Sequence, residues 1–516
     1  MVRITCYDGV GCIGGNKIVL EDGASKLFFD FGKNFGEEGK FYEELLKPKA
    51  CVGLYEKVQL GLLPPFKDLY RDDLVSSLCD PWQGLEASEI GEVGGVLVSH
   101  AHVDHMGYIH ELRGDIPIYC SPMTAAICRA LQDTAQSPTT VEYCYYVTRS
   151  EKETGELSTS NYRTNPAAGR KFHLSESDVP EDFKAFWRST PGSRKLEALT
   201  CEPATECAEL AVRSFPVDHS VYGATAWAVE TSAGWVVYTG DLRVHGGYGE
   251  LTRRFAEQAA ELKPVALIIE GTRIDRAQGY TEGDVKQSCL AAVKRCQGLV
   301  VADFGPRNVE RLVSFAEVAR ETGRELAVLP KDAYLLEAMR AAGSSQEVPG
   351  LREAGVRIYW EYQGSESAWR QRIKDDYPDL GVTPSDVQAN QDKFICCLSF
   401  WDINELAYLR PVPGSVWIYS SCEAFAEEMK ITAERLDNWL KQFGMRREGR
   451  LREEEQESDP FHVSGHASGP DLMELVRTIR PKTLIPVHTT NPEVYIENVG
   501  DVCEVRLPER GVGIEY

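Results

Sequence analysis

Short apolar runs recur along the chain, and several of them end on a histidine or a carboxylate. Ile18-Val19-Leu20 and the run Lys26 to Gly32, joined by Glu21-Asp22-Gly23, predict a β-hairpin. Gly95-Val96-Leu97-Val98-Ser99 predicts a buried strand. A helix, a short strand at Ile116 to Cys120 and a second helix through Met123 to Ile127 follow it. Residues 36–90 are mixed and partly helical, with a loop at Pro64-Pro65. The stretch from about 140 to 200 is polar and irregular, including Asn161-Tyr162-Arg163. It reads as an elaboration over the active-site face, a lid or partner surface, or equally as a plain surface insertion. Strands return at 210–215, 224–230, 234–241 and 266–270.

From about 275 the texture changes to alternating helix and strand. Thr281 reads as the N-cap of a helix through Cys296, with Asp284 placed for a capping box. Strands are expected at 299–303, 326–329, 394–398 and 416–419, and helices at Asn308 to Glu321, 332–342 and 424–442. That alternation predicts a parallel, doubly wound sheet. The charged stretch Arg446 to Glu455 reads as a solvated linker. A strand–loop–helix unit opens at Pro460 to Ser468, and Thr483 to Thr489 predicts a last strand.

A chain of 516 residues favours two or three domains, and 43% hydrophobic residues are enough for large cores. No apolar run is long enough to span a membrane, and the opening residues lack the apolar region of a signal peptide. Fifteen scattered cysteines without a Cys-x-x-Cys pair argue against a disulfide framework or zinc ribbon and for the cytoplasm. A net charge of −23 argues against coating nucleic acid over the whole surface, but leaves room for a local basic groove. Arg243, Arg253, Arg254, Arg273, Arg276, Arg307 and Arg311 would line such a groove if the fold gathers them; each one singly reads as a surface ion pair.

The chemistry concentrates in Ser99-His100-Ala101-His102-Val103-Asp104-His105-Met106-Gly107, on the loop leaving a strand. Of ten histidines, His100, His102, His105, His219, His466 and His488 fall at strand ends or in motif loops. A dinuclear hydrolytic site needs imidazole and carboxylate ligands and a bridging carboxylate. His100, His102 and His219 could bind one metal, Asp104, His105 and His488 a second, and Asp241 could bridge them. Two divalent metals are expected, Zn²⁺ first and Mn²⁺ second. His110 and His173 read as structural or surface residues, His245 as a surface turn, and Gly11 to Asn16 as a tight turn rather than a phosphate loop.

The His-x-His-x-Asp-His run at a strand terminus resembles the metallo-β-lactamase-fold hydrolases. The His462 to Ser468 loop, a helix, and then Leu484-Ile485-Pro486-Val487-His488 resemble their β-CASP branch, and within it the ribonuclease J family, over roughly 1–110 and 209–516. The resemblance implies an α/β fold: a metallo-β-lactamase αββα sandwich with an inserted doubly wound β-CASP domain. Its first part would be 1–274, the inserted domain 275–445, and its second part 446–516. Asp104 and Asp241 would serve in catalysis as well as in metal binding. Asp30 would orient the ligand loop. His462, Val463, Ser464, Gly465, His466 and Ser468 would bind substrate, with His466 protonating the leaving oxygen and Glu270 orienting it. Arg307-Asn308-Val309 would contact substrate, although Asn308 serves equally well as a helix N-cap.

His488 points to RNA rather than DNA, since DNA-directed members of the branch carry an apolar residue there. The implied activity is a metal-dependent ribonuclease on single-stranded RNA, a 5′-exonuclease with endonuclease action, soluble and with a homodimer as the assembly to test. Only 28 residues follow His488, too few for the small C-terminal domain usual in ribonuclease J. A DNA nuclease or a phosphodiesterase on short oligonucleotides is the alternative, and a non-catalytic scaffold of the same fold is a third.

Overall fold

The computed structural model describes the whole chain apart from residues 44, 136–140, 160–164, 191–195, 197–198, 278, 306, 422–426 and 452–458. It divides into two compact units. The first comprises Met1–Val244, Tyr248–Gln278 and His466–Tyr516; the second comprises His245–Gly247 and Gly279–Gly465.

The first unit is built on two sheets. One has eight strands, in the order Thr200–Pro203, Lys171–Leu174, Ile118–Cys120, Val96–Leu97, Ser25–Phe29, Lys17–Asp22, Val2–Asp8 and Gly513–Glu515. The other has seven: Glu206–Cys207, Leu210–Pro216, Thr225–Thr231, Gly234–Tyr238, Ala266–Ile269, Thr483–Pro486 and Glu504–Val505. Alternate side chains of both sheets meet between them, Ile4, Ile18, Phe29 and Leu97 against Trp227, Val229, Tyr238, Ile268 and Ile485. The outer face of the second sheet, with Phe215, Ala226, Leu267 and Leu484, packs on Phe255, Leu472, Val476 and Tyr495. Those four project from the helices Gly249–Leu262, Gly469–Ile479 and Glu493–Val499.

The second unit holds a seven-stranded sheet in which every pairing is parallel. Its order is Gly381–Val382, Val356–Tyr359, Glu325–Val328, Phe394–Cys397, Val300–Asp303, Val416–Tyr419, Arg446–Glu448. The chain runs outward to one edge, returns to the middle and leaves toward the other, which is a doubly wound topology. Thr281 and Asp284 form the expected capping box of helix Glu282–Arg295. The fold class inferred from the motifs, a sandwich of the metallo-β-lactamase type with a doubly wound α/β unit, is the one observed.

Three expectations change. Val2–Asp8 is a strand next to the edge of the first sheet, between Lys17–Asp22 and Gly513–Glu515, and is hidden in sequence because its apolar positions alternate with Arg3, Thr5 and Tyr7. The 140–200 stretch is not uniformly irregular: Lys171–Leu174 and Thr200–Pro203 extend the first sheet in parallel from Ile118–Cys120. Its polar character masks a strand of only four residues that buries Phe172 and Leu174. Asn161 to Arg163 lie outside the described residues. The charged linker begins as an edge strand, Arg446–Glu448, while Glu453 to Glu455 lie outside the described residues. Helix 424–442 is described over Glu427–Gln442. Among the described residues no helix is long and apolar enough to cross a membrane.

Candidate metal centre

The strands Gly234–Tyr238, Ala266–Ile269 and Thr483–Pro486 are parallel neighbours, so their carboxyl ends lie side by side. Asp241, Glu270 and His488 follow those ends. In the facing sheet Ser25–Phe29 and Val96–Leu97 are also parallel, which aligns Asp30 with Ser99 and His100. His219 enters from the loop after Leu210–Pro216. Residues scattered over almost 400 positions therefore converge because their strands end at one rim of the sandwich.

One atom each of His100, His102, His219 and Asp241 lies within 4.8 Å of the others. Asp104, His105, Asp241 and His488 form a second such group, and Asp241, Glu270 and His466 a third. In the first, His102 Nδ1 is 3.0 Å from His100 Nε2 and 3.2 Å from His219 Nε2, and His100 Nε2 is 3.7 Å from Asp241 Oδ2. In the second, His488 Nε2 is 3.3 Å from Asp104 Oδ2 and 3.7 Å from Asp241 Oδ2. His105 Nε2 stands 3.0 Å from Asp241 Oδ2 and 3.8 Å from Asp104 Oδ2. Donor atoms about 2.0–2.1 Å from a tetrahedral ion stand roughly 3.4 Å apart, so both groups fit a divalent cation. Asp241 belongs to both, is buried, and leaves Oδ1 without a hydrogen-bond partner. A buried carboxylate oxygen left bare is costly unless a cation satisfies it.

The histidine rings of these groups are aimed by their second nitrogens. His105 Nδ1 donates to Asp30 Oδ2 at 2.7 Å. Asp30 also accepts from Ser99 N and Oγ and, at 2.6 Å, from the Tyr238 hydroxyl. His488 Nδ1 pairs with Thr272 Oγ1 at 2.8 Å, and His100 Nδ1 with Ser99 Oγ at 3.0 Å. Asp30 and His488 both hold left-handed backbone, at φ +54° and +52°. Such strain in non-glycine residues persists only where the surroundings over-determine it. Tyr238 and Thr272 carry no sequence signal, since one sits inside an apolar strand and the other in an ordinary turn.

Burial and the neighbouring imidazoles hold His100 and His219 well below the ordinary histidine range, which keeps the neutral, ligating form. Burial also opposes charge on His105, but Asp241, Asp104 and Asp30 outweigh it and push its pKa well up. Burial likewise opposes charge on Asp104 and Asp241, yet His105 and His488 hold both well below the usual carboxylate range. To hold a cation here, His105 would have to give up the proton these carboxylates favour. Glu270 Oε2 is 2.9 Å from Nδ1 of His466 and, with Asp241, raises His466 to about 9 despite its burial.

The other predicted residues separate. His462, Ser464 and Gly465 are half-buried, Val463 is buried, and the Ser464 carbonyl accepts from Nε2 of His245 at 2.9 Å. His245 is thus half-buried and engaged rather than a surface turn. Ser468 is the buried N-cap of helix Gly469–Ile479, its hydroxyl donating to Asp471 at 2.6 Å. The Val309 side chain is fully buried in its own unit. Asn308 caps helix Val309–Thr322 by accepting from Arg311 N, and Arg307 is half-buried. Arg243 and Arg311 are buried against Asp218 and Glu282, and neither lines a groove. His110 pairs with Glu111, and His173 stacks on Tyr119.

A two-sheet sandwich with His and Asp groups gathered at its strand ends defines the class by fold, the metallo-β-lactamase fold. Residues 459–493 match the family model RMMBL, the Zn-dependent metallo-hydrolase RNA specificity domain. Over nearly its whole length the chain is similar to ribonuclease J proteins. It is 22% identical to that of Helicobacter pylori (strain ATCC 700392 / 26695) over 495 residues, 94% of this chain and 56% of the relative. It is 24% identical to that of Sinorhizobium meliloti over 444 residues, covering 84% and 63%. It is 22% identical to that of Mycolicibacterium smegmatis over 500 residues, covering 95% and 69%. The chain spans little more than half the length of the first of these. A crystal structure of a protein of unknown function from Enterococcus faecalis V583 shares the fold, with 24% identity, a TM-score of 0.68 and 99% of each chain covered. These likenesses bear out the resemblance to the β-CASP branch and to ribonuclease J.

Proposed function

We propose that the chain is a metal-dependent ribonuclease acting on single-stranded RNA, with two divalent ions in the groups that share Asp241. The observation that carries this is Asp241 itself, common to both ligand groups and to the His466–Glu270 pair. The ligands are His100, His102 and His219 for one ion, and Asp104, His105 and His488 for the other, with Zn²⁺ favoured over Mn²⁺ by the family model's description. When bound, such ions supply Lewis acidity and lower the pKa of water.

The protein's own residues do the rest. His466, whose hold on a proton is strengthened by the Glu270 carboxylate at Nδ1, is suited to protonating the leaving oxygen of the scissile bond. Glu270 holds that ring through Nδ1, and is itself fixed by the backbone N–H groups of Leu242 and Thr272. Asp30 and Thr272 hold His105 and His488 in the ligating orientation. His462 to Gly465, the four residues leading into His466, are the phosphate-binding segment in this reading, and Arg307 with Asn308 a further contact. RNA as substrate is supported by the RNA specificity match and the names of the relatives. The cysteine usage, with the described cysteines recorded as free thiols, supports a reducing compartment, the cytoplasm. The split hydrolase domain is assigned to residues up to about 278 and from 466 onward, and the β-CASP insertion to the stretch between, which runs past the expected end at 445 because Arg446–Glu448 pairs in the second unit's sheet; a homodimer is the assembly.

A cleavage assay with Mn²⁺ or Zn²⁺ decides the substrate. It compares 5′-monophosphate RNA, 5′-hydroxyl RNA and single-stranded DNA of several lengths. Preference for monophosphorylated RNA, shortened from its 5′ end, is expected. The charge of −23 favours short oligonucleotides as the second reading, and preference for DNA or dinucleotides would replace the first. No cleavage by the fully loaded protein would leave the scaffold reading.

A further inference from the structure

A buried ion pair sits behind one half of the metal centre. Lys17 Nζ is 3.0 Å from Asp8 Oδ2, with both side chains almost wholly out of solvent. The same ammonium donates to the Gly15 carbonyl at 3.1 Å and faces the Phe31 and Tyr108 rings. Asp8 Oδ1 accepts from the Gly9 N–H at 2.9 Å and from Asn34 Nδ2 at 2.7 Å. The turn from Gly9 to Asn16 is thereby tied at both ends to one pair of opposite charges.

That turn makes two main-chain contacts with metal ligands. The Gly15 N–H donates to the Asp104 carbonyl at 2.9 Å, and the Gly9 carbonyl accepts from the His488 N–H at 2.8 Å. Gly14, at φ +83°, lies flat against the Asp104 carboxylate: a Cβ there would stand 2.9 Å from Oδ2. Asp104 and His488 belong to one ligand group, with His105 and Asp241. A buried ion pair is a weak source of stability, because desolvating both charges offsets their attraction. Its value lies in geometry, since two charges locked together fix the backbone between them.

We propose that the Lys17–Asp8 pair is a positioning device chiefly for one metal position. By fixing the Gly9–Asn16 turn it sets Asp104 and His488 directly, and so tunes affinity at the Asp104/His105/His488 position far more than at the His100/His102/His219 position, which the turn reaches only through the chain Asn16, Tyr238, Asp30 and Ser99. The inference rests on the two-ion reading above. Partners that orient ligands from behind change metal affinity about 10–100-fold when removed.

The test is metal content and Mn²⁺ electron paramagnetic resonance on the full chain. Lys17→Met leaves Asp8 charged and buried, so the main variant is Asp8→Asn with Lys17→Met, which removes both charges. Gly14→Ala is the second variant; it keeps the ion pair and pushes directly on Asp104. The unaltered protein is expected to hold two ions with a spin-coupled signal. Each folded variant is expected to keep one ion at nearly unchanged affinity and to hold the other about 10–100-fold more weakly, with an isolated Mn²⁺ signal. Two ions at unchanged affinity in the variants, or equal weakening of both, would overturn the proposal. An unaltered protein that binds fewer than two ions would instead overturn the two-ion reading, and the proposal with it.

Discussion

Glu270 Oε2 stands 2.9 Å from Nδ1 of His466, and Asp241 Oδ2 is 3.9 Å from the same nitrogen. Burial alone would lower this histidine, but the two carboxylates raise it to about 9. In the metal-free protein the His466 ring is therefore expected to carry its proton at pH 7 and lose it near pH 9. Folded-state protonation stronger than in the unfolded chain stabilises the protein below about pH 6.5, and that contribution is lost as pH rises through about 9. Glu270→Gln keeps an acceptor but removes the charge, and is expected to bring the titration down toward the ordinary range. Histidine-labelled NMR reads it directly; an unmoved midpoint would show that Glu270 does not set it.

The consequence for turnover is separate. His466→Ala is expected to keep both ions yet lose about 10²–10⁴-fold in rate, the usual worth of a general acid. Metal analysis and single-turnover cleavage check the two halves. A rate equal to the parent's would remove His466 from the chemistry.

That the His and carboxylate positions gather was legible because strand ends are where an apolar run stops and chemistry begins. His100, His219, Asp241, Glu270 and His488 each follow such a run. Their orienting partners were not. Tyr238 looks like part of a strand core, yet its hydroxyl reaches Asp30, 208 residues away. Charge without a fold was misleading in the same way: Arg243 and Arg311 resemble groove cations and are buried structural ones. Residue type alone cannot separate a cap from a ligand contact, as Ser468 shows.

Asp241→Ala is expected to remove both ions at once, because no other residue belongs to both ligand groups. Elemental analysis after dialysis should fall from two ions toward none, with hydrolysis abolished and the fold retained by circular dichroism. Full activity in that variant would end the dinuclear reading.

Ser468 and Arg243 separate architecture from substrate binding. Ser468→Ala loses a helix N-cap and is expected to cost about 1 kcal/mol of stability, with KM for RNA unchanged. Arg243→Met takes the guanidinium from Asp218, where both side chains are fully buried, and is expected to cost about 3–5 kcal/mol. Denaturant unfolding measures both. A raised KM without destabilisation, in either variant, would restore the substrate-contact reading for that residue.

Replacing Asp303, in the second unit, is expected to stabilise rather than destabilise. This residue ends the strand Val300–Asp303, where burial raises its carboxyl to about 8, against the pull of the Trp417 indole N–H at 3.2 Å. The folded protein thus holds a proton there that the unfolded chain, with an ordinary value near 3.8, releases. Because the folded state binds more protons, this group makes stability fall as pH rises from about 4 to about 8, and adds no further slope above that. Asp303→Asn keeps the oxygen that accepts from Trp417 and cannot ionise. It is expected to raise the denaturation midpoint of its unit, by more at pH 8 than at pH 5. The other titrating groups are common to both proteins, so they cancel in the difference between variant and parent. A gain that is equal at the two pH values, or larger at pH 5, would mean that Asp303 is ionised in the folded protein.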